Sequence, residues 1–475
     1  MLCQGGSNIA FSSVPTVVDH IKPGQGNGSL EAMTPPLPPE IIHQILQDLS
    51  DSSGLFSKTN LNQCALVCRA WLPKARSLVF HTIAINPGPM KFASIRSFLR
   101  LCNSPLETLS QSGVQTLRVS QYLVDNHKQG NQCYLERLLN WRSCDGKRTI
   151  RTILPNLKRL SLMFIDWRTI SEEGMKVLLE GFKSVAELEL YQVNFDSYDE
   201  FTSLLHSMPL LHSLDMTGCG GPSPIKRPPV SDRPLGNLKN VSIRCLKDTK
   251  LLRALVPSPN LRVFRCYQPP YASDGEVFEA SDVNGLLESA SSSLEEFVFE
   301  AGYTTFGLTT LGEYHPFAYR FHAYHMPQDR YLDELDLTKY PSLRLVDLTI
   351  MTPRLVDILD RLARPSNNHH RSRLKVLRLP YLNSIVDLDW TRLDQILQRP
   401  YFSELTTIEC SFCCIFSPDD VVNQPRAIQY DAPDPDSFAE YELQARLSRF
   451  RQQLPMCDQR GILDPQVDYW YTQRL

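Results

Sequence analysis

The strongest constraint on how this 475-residue chain can fold is a recurring pattern, apolar-x-x-apolar-x-apolar. It reads Val114-Leu117-Val119, Leu157-Leu160-Leu162, Val185-Leu188-Leu190, Leu211-Leu214-Met216, Leu238-Val241-Ile243 and Leu261-Phe264-Cys266, and returns as Leu294-Phe297-Phe299, Leu343-Val346-Leu348, Leu374-Leu377-Leu379 and Leu405-Ile408-Cys410. Between Leu157 and Leu261 the units recur about every 25 residues, a period that signals stacked repeats rather than one closed core. Within each unit the alternation predicts a strand with apolar residues on one face. The other face receives Arg159, Ser161, Glu187, Glu189, Ser213, Asp215, Arg378 and Glu409. Helical periodicity fills the intervals 171–180, 199–208, 248–256, 353–363 and 391–398, several of which open on Ser, Asp or Thr and are followed by Pro. A single helix–strand unit cannot cover its own apolar face. Neighbours must therefore stack, and the predicted fold class is α/β: a curved solenoid over 85–416 with parallel strands on the concave face.

Two intervals break the period. Residues 218–236, GCGGPSPIKRPPVSDRPLG, are too rich in Pro and Gly for a regular element and predict a surface excursion. The longer one, between Leu294 and Leu343, is crowded with aromatic and histidine side chains. Tyr314, His315, Tyr319, His322, Tyr324 and His325 are its candidate target-binding residues, because such side chains join an apolar body to a polar tip and concentrate binding energy at interfaces. Packing of the insert over the solenoid is the competing reading. After Phe416 the pattern is expected to stop. A final helix, capped by Ser437 or Asp436, carries the stripe Leu443, Leu447, Phe450 and Leu454 and ends at Pro455, making 417–475 a capping segment.

Ahead of the repeats, residues 1–33 lack aliphatic periodicity and read as a disordered leader. Residues 34–84 read as three short helices. Pro38 and Pro39 pre-set the first helical turn and Glu40 complements the helix dipole. Leu37, Ile41, Ile45 and Leu49 form an apolar stripe widened by Ile42 and Leu46. Residues 50–60 read as a polar loop ending at Asn60, the N-cap of a second helix through Leu61, Ala65, Leu66 and Val67, and Pro73 opens a third reaching Phe80. Composition and spacing alone describe a helical module with excess apolar surface.

The segments Leu37-Pro38-x-Glu40-Ile41-x-x-x-Ile45-Leu46, Cys64-Ala65-Leu66-Val67-Cys68-Arg69-Ala70-Trp71 and Arg76 to Phe80 resemble the F-box, particularly that of fungal F-box proteins. The repeat spacing resembles irregular leucine-rich repeats. The resemblance implies docking on a Skp-family adaptor, and through it a cullin, by Leu37, Pro38, Glu40, Ile41, Ile45, Leu46, Leu66, Val67 and Trp71. It implies a substrate-recognition subunit of a Skp/cullin/F-box ubiquitin ligase whose target protein is unknown. The alternative is a non-catalytic scaffold or ligand-binding solenoid whose helices only cap the repeats.

A net charge of −3 with well-mixed signs gives no argument for nucleic acid or an anionic membrane as partner. No apolar run suits a membrane span or a secretory signal, so a soluble chain of the cytoplasm and/or nucleus is expected. The 13 cysteines are scattered through apolar patterns and read as reduced thiols. Cys410-Ser-Phe-Cys413 lacks a second ligand pair at zinc-like spacing and reads as structural. With no G-x-S-x-G, H-E-x-x-H or Walker pattern, neither enzymatic chemistry nor a cofactor is expected.

Overall fold

A computed structural model describes residues 38–51, 55–67, 71–85, 95–104, 109, 113–121, 134–221, 233–268, 279–301, 335–350, 354–364, 372–379, 388–416, 444–445 and 447–471. The chain begins with helices α1 (Pro39–Asp51), α2 (Leu55–Val67) and α3 (Leu72–His81). It then lays down β1 (Thr82–Ile85), β2 (Thr116–Ser120), β3 (Arg159–Met163), β4 (Glu187–Tyr191), β5 (Ser213–Thr217) and β6 (Asn240–Arg244). The series continues with β7 (Val263–Gln268), β8 (Glu296–Ala301), β9 (Leu345–Ile350), β10 (Val376–Arg378), β11 (Thr407–Phe416) and β12 (Leu463–Tyr471). These form one 12-stranded sheet in strict chain order, and every pairing is parallel. The architecture is α/β. Among the described residues no helix is long and apolar enough to cross a membrane.

The middle apolar residue of each sequence unit becomes a rung of one ladder. Leu160, Leu188, Leu214, Val241, Phe264, Phe297, Val346, Leu377 and Ile408 are successive partners from β3 to β11, each no more than 2 % exposed. They join Leu178, Phe201, Leu286, Leu359 and Leu393 of the connecting helices in one continuous core. The first apolar residue of a unit closes the turn before its strand. Its N–H is donated to the carbonyl three residues back, as in Val185 to Phe182, Leu211 to Met208, Leu261 to Ser258 and Leu405 to Phe402.

Caps explain where several helices start. Ser171 accepts from the N–H of Gly174 at the head of Glu172–Gly181, Ser197 and Glu200 form a reciprocal capping box on Tyr198–His206, and Asp389 accepts from Arg392. The interval 248–256, expected as an α-helix, is a 3-10 helix over Thr249–Leu255. Of the units between Leu157 and Leu261 it belongs to the one with the fewest residues between first apolar positions, and only a short, tight element fits there.

A second recurring device follows the strands. Phe164, Gln192, Gly218 and Cys245, the residues just after β3, β4, β5 and β6, all have positive φ (58°, 50°, 61° and 51°). Each donates its N–H to the carbonyl of the last or near-last residue of the following strand: Tyr191, Thr217, Arg244 and Tyr267. The left-handed turn thus recurs once per unit although glycine fills it at only one of the four positions.

Three expectations are corrected. Helix α2 starts at Leu55, so Asn60 lies inside it rather than capping it and 50–60 is not wholly a loop. The sheet begins at Thr82, inside the segment read as helical module. Phe80, Ile83 and Ile85 repeat the apolar spacing, with Ile83 and Ile85 opposite Leu117 and Val119. The sheet also does not stop with β11. Strand β12 runs parallel to it, Ile408 opposite Leu463 and Phe416 opposite Tyr471. The expected helix stops just before Pro455, which in turn opens a further short one, Pro455–Gln459. At the place of the first apolar residue this last unit carries Arg460, whose guanidinium donates to the carbonyls of Leu397 (2.9 Å), Phe402 (3.2 Å) and Leu405 (3.4 Å). The buried Asp394 carboxylate accepts from the N–H groups of Met456 (2.9 Å) and Cys457 (3.1 Å). Phe450 and Leu454 of the expected stripe are buried; Leu443, Ser437 and Asp436 lie outside the described residues.

Truncating a fully buried rung removes its transfer energy and leaves a cavity, so Leu188→Ala is expected to cost about 2 to 5 kcal/mol in chemical denaturation. Wild-type stability would show that Leu188 is not a core rung. Gly218→Ala places a Cβ 3.0 Å from Cγ of Gln192 at a φ of +61°, an expected loss of about 1 to 2 kcal/mol. Gly236, with nothing within 4 Å of a built Cβ, is the control: its alanine variant is expected to melt no lower than wild type.

Candidate functional site

Two surfaces stand out. The first is on the N-terminal helices. Leu46, Leu61 and Ala75 form a small buried core separate from that of the sheet, with Ile42, Leu49, Cys64, Ala65, Trp71, Leu78 and Val79 packed around it. So few rungs cannot hide every apolar side chain of three helices. Ile41 (48 % exposed) and Ile45 (36 %) stand one helical turn apart on α1, and Leu66 (86 %) and Val67 (65 %) project from the end of α2. Pro38 and Glu40 are exposed beside them, and the Pro38 carbonyl accepts from the N–H groups of Ile41 and Ile42 (3.0 and 3.2 Å). Of the residues grouped by sequence as adaptor-binding, Leu46 is wholly buried and Trp71 is half-buried against the same core, so both build the module instead of facing outward. Leu37 lies outside the described residues.

The second surface is the face of the sheet opposite the apolar ladder. Because strand side chains alternate, the residues between the apolar rungs share this open face. Its central row runs Arg118, Ser161, Glu189, Asp215, Ser242, Arg265, Val298, Asp347, Arg378 and Glu409, each directly opposite the next on the neighbouring strand. Over β2 to β7 the side chains surround a cavity of about 330 Å³. Some charges on this face are already matched. Arg159 pairs with Glu187 at 2.6 Å, Arg265 with Glu296 at 3.5 Å, and Arg378 with Glu409. Arg244 lies 4.7 Å from the centre of the Tyr267 ring and its charge also acts on Asp215. Ser161 differs from its neighbours: it belongs to this face by register but is fully buried, and its hydroxyl has no hydrogen-bond partner.

Burial sets the acidity of the groove. It pushes the Asp215 carboxyl up; Arg244 opposes the shift and neighbouring Glu189 adds to it. Glu300, at the end of β8, is pushed up to about 7 by burial and by Asp347, with Arg244 opposing. The sequence pattern located Glu189 and Asp215 on one face but held no signal for which side chains of that face are covered. Cys410 is buried, and burial raises its thiol well above the ordinary range. Among the described residues no group of three or more His, Cys, Asp or Glu side chains could hold a metal. Tyr314, His315, Tyr319, His322, Tyr324 and His325 of the aromatic insert lie outside the described residues.

Compared with known proteins, the chain matches no family model and no curated protein.

The Glu300 shift carries a sign. Its folded-state value of about 7 lies above the usual 4.5, so between those values the folded chain holds a proton that the unfolded chain has released, and stability falls as pH rises through the window. Glu300→Gln is expected to flatten that part of the stability–pH curve and to be the more stable of the two proteins at pH above the window. A slope unchanged by the substitution would place its origin elsewhere.

Proposed function

We propose that this chain is the substrate-recognition subunit of a Skp/cullin/F-box ubiquitin ligase. In this reading residues 34–84 are an F-box, and the sheet is the concave face of a leucine-rich-repeat-like solenoid that holds a target protein in the cytoplasm and/or nucleus. The observation that carries it is the exposed aliphatic surface of Ile41, Ile45, Leu66 and Val67 on a module whose core, among the described residues, is Leu46, Leu61 and Ala75. Exposed apolar surface of that kind gains free energy when a partner removes it from water, at about 25 cal/mol per Å². A Skp-family adaptor is the partner that the F-box resemblance supplies. The open groove, with its matched and unmatched charges, is then left for the target.

One observation favours the second reading, a scaffold whose helices cap the repeats. Helix α3 runs directly into β1, and Phe80 packs against the core of the sheet, so the helices also cover an end of the array.

The double variant Ile41→Asp/Ile45→Asp separates the two. Both positions are solvent-facing, so the fold should keep its circular dichroism, and capture of a purified Skp-family adaptor is expected to fall at least tenfold. Undiminished capture would favour the capping reading, as would failure of the wild-type chain to bind adaptor at all.

A further inference from the structure

The open-face groove is a field of arginines and carboxylates only some of which are paired, and the others are informative. Once Arg159–Glu187, Arg265–Glu296 and the stacking of Arg244 on Tyr267 are set aside, three charged side chains of the cavity have no ion pair among the described residues: Arg118 on β2, Glu189 on β4 and Asp215 on β5. Asp215, directly opposite Glu189 on β5, is a second carboxyl group, whose ionised form burial and Glu189 disfavour and Arg244 favours, so a cation placed over the two would be drawn to both. Between the lone cation and the carboxylate pair lies Ser161, in the same row, fully buried and with its hydroxyl unpartnered.

We infer that this row is a binding site for an extended peptide segment of a partner protein, one that places a lysine or arginine over Glu189 and Asp215 and a carboxylate over Arg118, with its main chain crossing the strands above Ser161. Distance selects the spacing. Arg118 and Glu189 are two strands apart, about 10 Å at the usual inter-strand separation. In a polyproline II segment, residues i and i+3 point the same way about 9 Å apart. The site therefore selects an acidic and a basic residue three positions apart, in an order set by the direction in which the peptide crosses the sheet. Charge complementarity argues against an anion alone: a phosphate or an acidic tract gains Arg118 but meets Glu189 and Asp215. The inference rests on the receptor reading only for the partner's identity as a ligase target; the groove chemistry is independent of it.

The test uses the full-length chain and fluorescein-labelled proline-rich nonapeptides carrying one Glu and one Lys three positions apart, made in both orders, with Lys→Gln and Glu→Gln versions of each, read by anisotropy at low and physiological salt. One order is expected to bind, and to weaken at least tenfold in its Lys→Gln version. Glu189→Gln/Asp215→Asn in the protein is expected to abolish the preference for Lys. Arg118→Gln should abolish the preference for Glu while leaving that for Lys, and as an exposed side chain it tests the site without disturbing the core. Equal binding of all peptide versions would overturn the inference, as would stronger binding of the Glu-only peptide or indifference to both variants. Adaptor capture by the same variants is expected to be unchanged. If wild-type chain binds peptide but no adaptor, the ligase reading falls and the groove stands; the reverse outcome removes the groove alone.

Discussion

The structure depends on how one unit is locked to the next. At the entry to nearly every strand a single carbonyl accepts two successive N–H groups from the following unit: Gln115 from Lys158 and Arg159, Lys158 from Ala186 and Glu187, Ala186 from His212 and Ser213, and so on through Lys375 with Thr406 and Thr407. A carbonyl oxygen has two lone pairs and can serve both donors. The consequence is register. A slip of one residue would turn every rung of the apolar ladder toward the open face and the charged row toward the core. Burying one aliphatic rung contributes about 1.5 to 3 kcal/mol, so the clamp and the ladder enforce the same alignment from opposite sides of the backbone. The left-handed turns after β3 to β6 close the other end of each strand in the same way.

Where this logic is written in side-chain identity, it is legible in the sequence. The triples from Val114 to Cys410 mark strands β2 to β11, because a rung must be apolar whatever else changes. Strand β1 escaped notice because its triple, Phe80-Ile83-Ile85, follows a helix without a gap and Phe80 also completes the helical pattern. Strand β12 escaped because Arg460 and Pro465 occupy positions where apolar residues stand in earlier units. There the hydrogen bonds of Arg460 to three carbonyls replace burial, and nothing in a hydropathy pattern distinguishes a guanidinium that caps a turn from one that faces water. The start of α2 at Leu55 was hidden for a related reason: its first turn is mixed in polarity and its periodicity weak.

The site residues follow the same division. Alternation placed Arg159, Ser161, Glu187, Glu189 and Asp215 on the open face, and register sets them side by side. What alternation could not foretell is the pairing, since Arg159 reaches Glu187 while Glu189, two residues on, has no ion pair among the described residues. Likewise the aliphatic stripe of α1 was legible as a whole, but only packing separates Leu46, which the three helices consume, from Ile41 and Ile45, which they leave outside.

The last joint of the array is built differently from the others, and this has a mechanical consequence. Like the other joints it shares the apolar core, here through Phe450, Leu454 and Ile462, and its strand pairing, Ile408 to Phe416 against Leu463 to Tyr471, is the longest in the described sheet. Between the unit ending in β11 and the one ending in β12, much of the grip is polar: Asp394 holds two main-chain amides and Arg460 holds three carbonyls. Water can substitute for such partners far more cheaply than for a methyl group's neighbours. Where each unit answers to those beside it, that polar grip is the part of the joint that water competes for, while Phe450, Leu454 and Ile462 stay within the shared apolar core. The joint between β11 and β12 is thus held in two ways, by polar contacts that solvent can replace and by apolar contacts that it cannot.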